Sequence, residues 1–186
     1  DGAATDEEWA TAAIYPVTTV PGISSVAYTM DDKAIYFKLT LDSTGDAPTS
    51  GGIYLNVPTA ETRYPFANTP DAPDSLLLGI VASHLFEWGE GGVTQYQAAV
   101  DGWKANPVQA GTYAAGASAV ELSVPLTALG ELSAGDDIRV IVVTQPGGKI
   151  LPVSGPAQIV LPDLGLSDLV LEVIDPAGDD HGPGTY

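Results

Sequence analysis

The sequence has no cysteine, which excludes disulfides, thiolate-bound zinc and a thiol nucleophile. Basic residues are nearly as scarce: six Lys and Arg stand against 24 Asp and Glu, a formal net charge of -18. A field of that sign repels phosphate backbones and anionic membrane surfaces, so nucleic acid is not an expected partner, whereas cations and neutral polar ligands are compatible with it. Charged residues make up only 16% of the chain, so the acidity reflects missing bases and not acidic runs, which argues against a disordered acidic tail. There is no stretch of 18 consecutive apolar residues, and membrane insertion is not expected. Nor does the chain open on a basic start followed by an apolar stretch; for a secreted protein, the leader is expected to have been removed. The two histidines, His84 and His181, lack partners at zinc spacing, and no Ser sits in a Gly-x-Ser-x-Gly elbow. A glycosidase needs two carboxylates across a cleft, and 24 acids nominate no particular pair, so catalysis is not expected.

Apolar residues, at 45%, suffice for one core in a chain of 186 residues. Their arrangement has a period of two. Ile35, Phe37, Leu39 and Leu41 alternate with Tyr36, Lys38, Thr40 and Asp42, one face reading as buried and the other as wet. Similar alternation marks residues 23 to 30, 53 to 57 and 119 to 124, Val93 to Val100 reads as another strand, and Ile138-Arg-Val-Ile-Val-Val143 reads as a central strand. Further strands are expected over 75 to 83, 149 to 153, 157 to 161 and 169 to 174. Phe86 to Gly92 reads as an aromatic turn, and Pro125 to Leu132 as a helical turn. Thr5 and Glu8 have the spacing of a capping box for a short opening helix, with Trp9 packed inward behind it. The proline-rich stretch from Pro58 to Asp74 reads as a surface loop. These features predict an all-β protein: an antiparallel β-sandwich of about ten strands, jelly-roll or immunoglobulin-like, with one or two short helical turns. Residues 1–174 would form the sandwich and 175–186 an acidic, Gly/Pro-rich tail or a linker to a further domain.

Two stretches resemble a known family. Asp1-Gly2 with Asp6-Glu7-Glu8-Trp9-Ala10, then Ser25-Val-Ala-Tyr28 and Asp32-Lys-Ala-Ile-Tyr36-Phe37, is similar to the start of family 9 carbohydrate-binding modules and their DOMON-like relatives. Glu121-Leu-Ser-Val-Pro125-Leu126 with Leu129, followed by Gly135-Asp136-Asp137-Ile-Arg139, resembles the second half of that family. The tail Asp175-Pro-Ala-Gly178-Asp179-Asp180-His-Gly-Pro-Gly-Thr-Tyr186 resembles the opening of the C-terminal module of secreted glucodextranases and amylopullulanases. The resemblance implies a non-catalytic accessory module of a secreted α-glucan-degrading enzyme, extracellular or at the cell surface, that binds carbohydrate or braces neighbouring domains. Some DOMON relatives hold haem through a Met and a His; Met30 with His84 is the pair that would correspond here, and no haem is expected. The competing class is a structural subunit of an extracellular layer or filament, a homo-oligomer that passes its terminal segment to a neighbour's sheet edge.

Sugar rings stack on exposed aromatic faces, which makes Trp88 and Trp103, with Tyr54, Tyr64 and Tyr96 on neighbouring segments, the carbohydrate-binding candidates. The alternative for both Trp residues is plain burial in the core. Asp175, Asp179 and Asp180 lie in a Gly-rich turn that offers the oxygen ligands calcium takes. A solvated acidic turn is the other reading, favoured by the missing alternation of a calcium loop. Asp42 and Asp46 form a second, weaker pair of the same kind.

Overall fold

Twelve strands account for most of the residues described by the computed structural model, namely 9–62, 80–99, 102–109, 111–145, 149–151 and 157–162. In chain order they are β1 (Ala13–Pro16), β2 (Ile23–Met30), β3 (Ala34–Leu41), β4 (Ser50–Asn56), β5 (His84–Gly89) and β6 (Gly92–Ala99). β7 (Gly102–Gln109), β8 (Thr112–Ala115), β9 (Ala119–Pro125), β10 (Asp137–Gln145), β11 (Lys149–Leu151) and β12 (Ala157–Val160) follow. All pairings are antiparallel. One sheet has the order β1-β2-β3-β9-β8; the other runs β11-β10-β4-β5-β6-β7, with β12 also paired to β10. β11 and β12 lie along the same side of β10, each covering a different half of its nine residues.

The period-two pattern determines which side chains meet between the sheets. Ile35, Phe37 and Leu39 of β3 and Val120, Leu122 and Val124 of β9 face Ile53 and Leu55 of β4, Phe86 and Trp88 of β5, and Ile138, Val140 and Val142 of β10. Each is nearly or fully buried, and burial of a side chain of this size contributes about 1.5–3 kcal/mol. The all-β antiparallel sandwich expected from the sequence is the observed architecture. The helical turn after Pro125 is a 3-10 turn, Leu126–Leu129, with the proline just before it.

The differences from expectation have physical causes. Phe86 and Trp88 belong to strand β5 and not to a turn; Glu90 and Gly91 alone make the reversal into β6. Residues 80–83, expected to be strand, precede β5 with a single bridge at Ala82 and otherwise irregular chain. β8 gave no signal, because Thr-Tyr-Ala-Ala is short, lies at an edge and does not alternate. The outer face of β3 is not wet along its length: Lys38 is only 2% exposed. The predicted strand over 169–174, the tail 175–186 and most of the proline-rich loop lie outside the described residues.

Candidate functional site

The outer face of the five-stranded sheet is built in rows across the strands. One row reads Ala27, Lys38, Glu121, Ala114, since β2, β3, β9 and β8 pair Ala27 with Lys38, Lys38 with Glu121 and Glu121 with Ala114. The next row is Thr29, Tyr36, Ser123, Thr112. A cross-strand ion pair is thus flanked by two alanines, whose small side chains leave space above the sheet, and bordered by a row of hydroxyls.

Trp9 occupies part of that space. Its indole N–H donates to Glu121 Oε1 at 3.1 Å, and the Lys38 ammonium lies 3.7 Å from the same oxygen and 5.0 Å from the ring centroid. The ring is therefore held by a hydrogen bond at its edge and by cation–π attraction on one face. The expectation of an inward-packed Trp9 is corrected: it is half-buried and lies on the outside of the sandwich. Beside it opens a cleft of about 530 Å³, whose lining includes Trp9, Thr29, Asp31, Tyr36, Thr112 and Glu121. That volume is in the range of small-molecule sites.

The polar walls are fixed in place. Asp31 Oδ1 accepts the backbone N–H groups of Lys33 and Ala34, both at 2.8 Å, and Oδ2 accepts the Tyr36 hydroxyl at 2.9 Å. Slight burial pushes the Asp31 carboxyl up, but these hydrogen bonds and the Lys33 charge prevail and hold it below the usual carboxylate range. Thr112 and Ser123 share a hydroxyl–hydroxyl bond of 2.8 Å. The cleft thus presents an aromatic ring held from behind, a tyrosine locked at its hydroxyl, carboxylate oxygens and threonine hydroxyls.

The aromatic residues singled out in the sequence lie elsewhere. Trp88 is 3% exposed in the inter-sheet core, stacked on Tyr113 at 5.8 Å. The bare Gly51 makes room for it, since a Cβ there would meet the indole Cζ2 at 2.7 Å. Trp103 is half-buried on the opposite face of the seven-stranded sheet, edge-on to the buried Tyr54 at 6.3 Å. The structure therefore does not bring Trp88 and Trp103 onto one rim, and Trp88 and Tyr54 are too enclosed to serve as open platforms; packing has used their faces. Tyr96 is half-buried in the same outer cluster as Tyr54. Burial, together with the charge of Glu87 and a hydrogen bond to it, pushes its hydroxyl up. Tyr64 lies outside the described residues.

A smaller cleft of about 250 Å³ on the seven-stranded sheet is lined by Gly52, Tyr54, Glu87, Thr94 and Gln145 among others. Two of the aromatic residues expected from the sequence, Trp88 and Tyr54, meet in its lining, but at 3% and 2% exposed neither offers an open face.

The remaining candidates are structural where they are described. Asp42 Oδ1 accepts the Thr44 N–H at 2.8 Å, the Thr44 hydroxyl, and the Gly22 N–H at 3.2 Å, which ties the β3 exit to the β2 entry. These bonds hold its carboxyl below the usual range. No group of three or more His, Asp or Glu placed to hold a metal occurs among the described residues, which do not include Asp175, Asp179 and Asp180. His84 is buried beside Ser83, Nδ1 to Oγ 2.9 Å, and Ser83 Oγ also bonds the backbone of Leu55 and Val57. That hydroxyl braces β4 against β5 through these backbone bonds. Burial pushes the imidazole down to about 4.

No family model, curated protein or solved structure matches the chain.

Proposed function

We propose that the protein is a non-catalytic carbohydrate-binding sandwich whose ligand site is the cleft over the five-stranded sheet. The observation that supports this reading is Trp9 held at the cleft wall, next to a row of hydroxyls and a locked tyrosine. A pyranose has apolar C–H faces and a rim of hydroxyls, so it needs an aromatic surface with hydrogen-bonding groups around it. This assigns the sugar-stacking role to Trp9, with Tyr36, Asp31, Thr29 and Thr112 as the polar surround, in place of Trp88 and Trp103.

The α-glucan as ligand, the extracellular setting and the role of accessory module to a polysaccharide-degrading enzyme come from the sequence resemblance alone. Calcium at Asp175, Asp179 and Asp180 is a separate proposal, tested by whether millimolar calcium raises the melting temperature.

Retardation in native gels containing amylopectin tests the binding reading. Wild-type protein is expected to be retarded, and Trp9→Ala to run as in a gel without polysaccharide while keeping the wild-type circular dichroism spectrum. Equal mobility of wild-type protein with and without a panel of soluble polysaccharides would defeat it.

A further inference from the structure

We propose that the Lys38–Glu121 pair sets the charge class of the ligand: the cleft takes neutral, hydroxyl-rich sugars and rejects acidic ones, with Lys38 as a positioning residue for Trp9. The inference rests on the carbohydrate reading of this cleft and adds to it a selectivity and the residues that impose it.

The starting observation is where the pair sits. Lys38 and Glu121 are 2% and 9% exposed on the outer face of a sheet, where alternation alone would leave them in water. A buried ion pair gives little net stability, because taking both charges out of water costs about what their attraction returns, and an apolar pair would serve the fold as well. What this pair does here is hold Trp9. Glu121 Oε1 receives the indole N–H, while the ammonium lies near both that oxygen and the ring. The cation stands behind the wall: Lys38 does not line the cleft, whereas Trp9 and Glu121 do.

The electrostatic consequence follows from which charges reach the ligand. The described residues lining the cleft include two carboxylates, Asp31 and Glu121, and neither Lys nor Arg. Lys33 lies close to Asp31, exposed at the β2–β3 turn, and offsets part of that charge from the solvent side. A sugar hydroxyl can donate to these carboxylates, and Thr29 and Thr112 can donate or accept. A uronic acid carboxylate would instead meet like charge, with the Lys38 ammonium engaged behind the ring and Lys33 outside the cleft lining.

The test compares a maltooligosaccharide with an oligogalacturonide of equal length by titration calorimetry on the whole chain at low salt. Wild-type protein is expected to bind the neutral sugar at least about tenfold more tightly. Glu121→Gln keeps an oxygen for the Trp9 indole N–H and removes the charge; the neutral-to-acidic ratio should fall by about tenfold. Lys38→Met leaves the buried Glu121 carboxylate without its cation and should lower the melting temperature; in the folded variant Trp9 fluorescence should shift and neutral-sugar binding weaken by about tenfold. Should either single variant fail to fold, the paired Lys38→Met, Glu121→Leu change removes both charges together, and it is expected to fold and lose binding. Equal wild-type affinity for both sugars, or an unchanged ratio in Glu121→Gln, overturns the selectivity and leaves the cleft reading standing. Binding of neither sugar by the wild type overturns both.

Discussion

The two outer faces of the sandwich solve opposite problems. The face of the seven-stranded sheet is dominated by an apolar cluster: Tyr54, Leu85, Ile141 and Val143 are buried with Ile80 and Ala82, and Tyr96 and Trp103 pack against them. The face of the five-stranded sheet carries Lys38, Glu121, Tyr36, Ser123 and Thr112, with one aromatic residue laid across it and a cleft beside that ring. An apolar face must be covered, and the chain folds over it; a polar face can stay open to a ligand. The same residue type has opposite roles in the two places. Trp103 is used up in packing on the closed face, as Trp88 is in the inter-sheet core, and Trp9 is available because a salt bridge and not a core holds it.

This contrast can be broken from either side. The largest effect is expected from the closed face: Leu85→Ala leaves a cavity in the second cluster and should cost about 3 kcal/mol in urea unfolding, without changing sugar affinity of the folded protein. Equal damage from Thr29→Ala on the open face, where about 0.5 kcal/mol or less is expected, would erase the distinction.

A pH effect of nearly the same size should come from His84. Its imidazole is neutral in the folded protein down to about pH 4, whereas the unfolded chain takes a proton near 6.5. The unfolded state therefore binds more protons within that window, so stability falls as the pH drops from about 6.5 to about 4 and then levels off, a loss of about 3 kcal/mol. Many carboxylates titrate over the same range, so the measurement is the difference between wild type and His84→Gln, whose melting temperatures should converge as the pH falls. Parallel curves would show that the buried imidazole is not the titrating group.

Gly51→Ala is next. A Cβ there would press on the Val143 carbonyl oxygen and on the Trp88 ring, a cost of about 1–3 kcal/mol visible as a lower thermal midpoint. A smaller stability change, about 1 kcal/mol, is expected for Asp31→Ala, which removes the acceptor of the Tyr36 hydroxyl and of two turn N–H groups. Its effect on sugar binding should exceed its effect on stability, and the reverse order would take Tyr36 out of the site.

Much of the fold was legible because alternation is a local signal. β2, β3, β9 and β10 were each readable from their own residues, and with them the sandwich class. β5 was obscured because its Phe86-Glu87-Trp88 core runs into the glycines at 89, 91 and 92, so strand and reversal looked like one turn. The site was hidden for a different reason. Lys38 and Glu121 are 83 positions apart and meet only through the pairing of β3 with β9, a long-range register that neither strand reveals alone. An aromatic residue preceded by acidic residues, such as Trp9 after Asp6-Glu7-Glu8, looks like an ordinary core anchor until that pair is placed beneath it. Sequence favoured Trp88 and Trp103 because they lie beside turns, and turn proximity does not say which face of a strand a side chain takes.

The pairing of β12 has a mechanical consequence. The chain leaves the described sandwich just past β12, whose four residues are laddered to the first half of β10. Tyr28 in the opposite sheet also donates its hydroxyl to the Gln158 carbonyl, and the Tyr15 and Tyr28 rings stack behind it at 5.8 Å. Tension applied to the polypeptide downstream of Leu161 is therefore shared between both layers, and β12 cannot be peeled from one sheet without also straining a strand of the other.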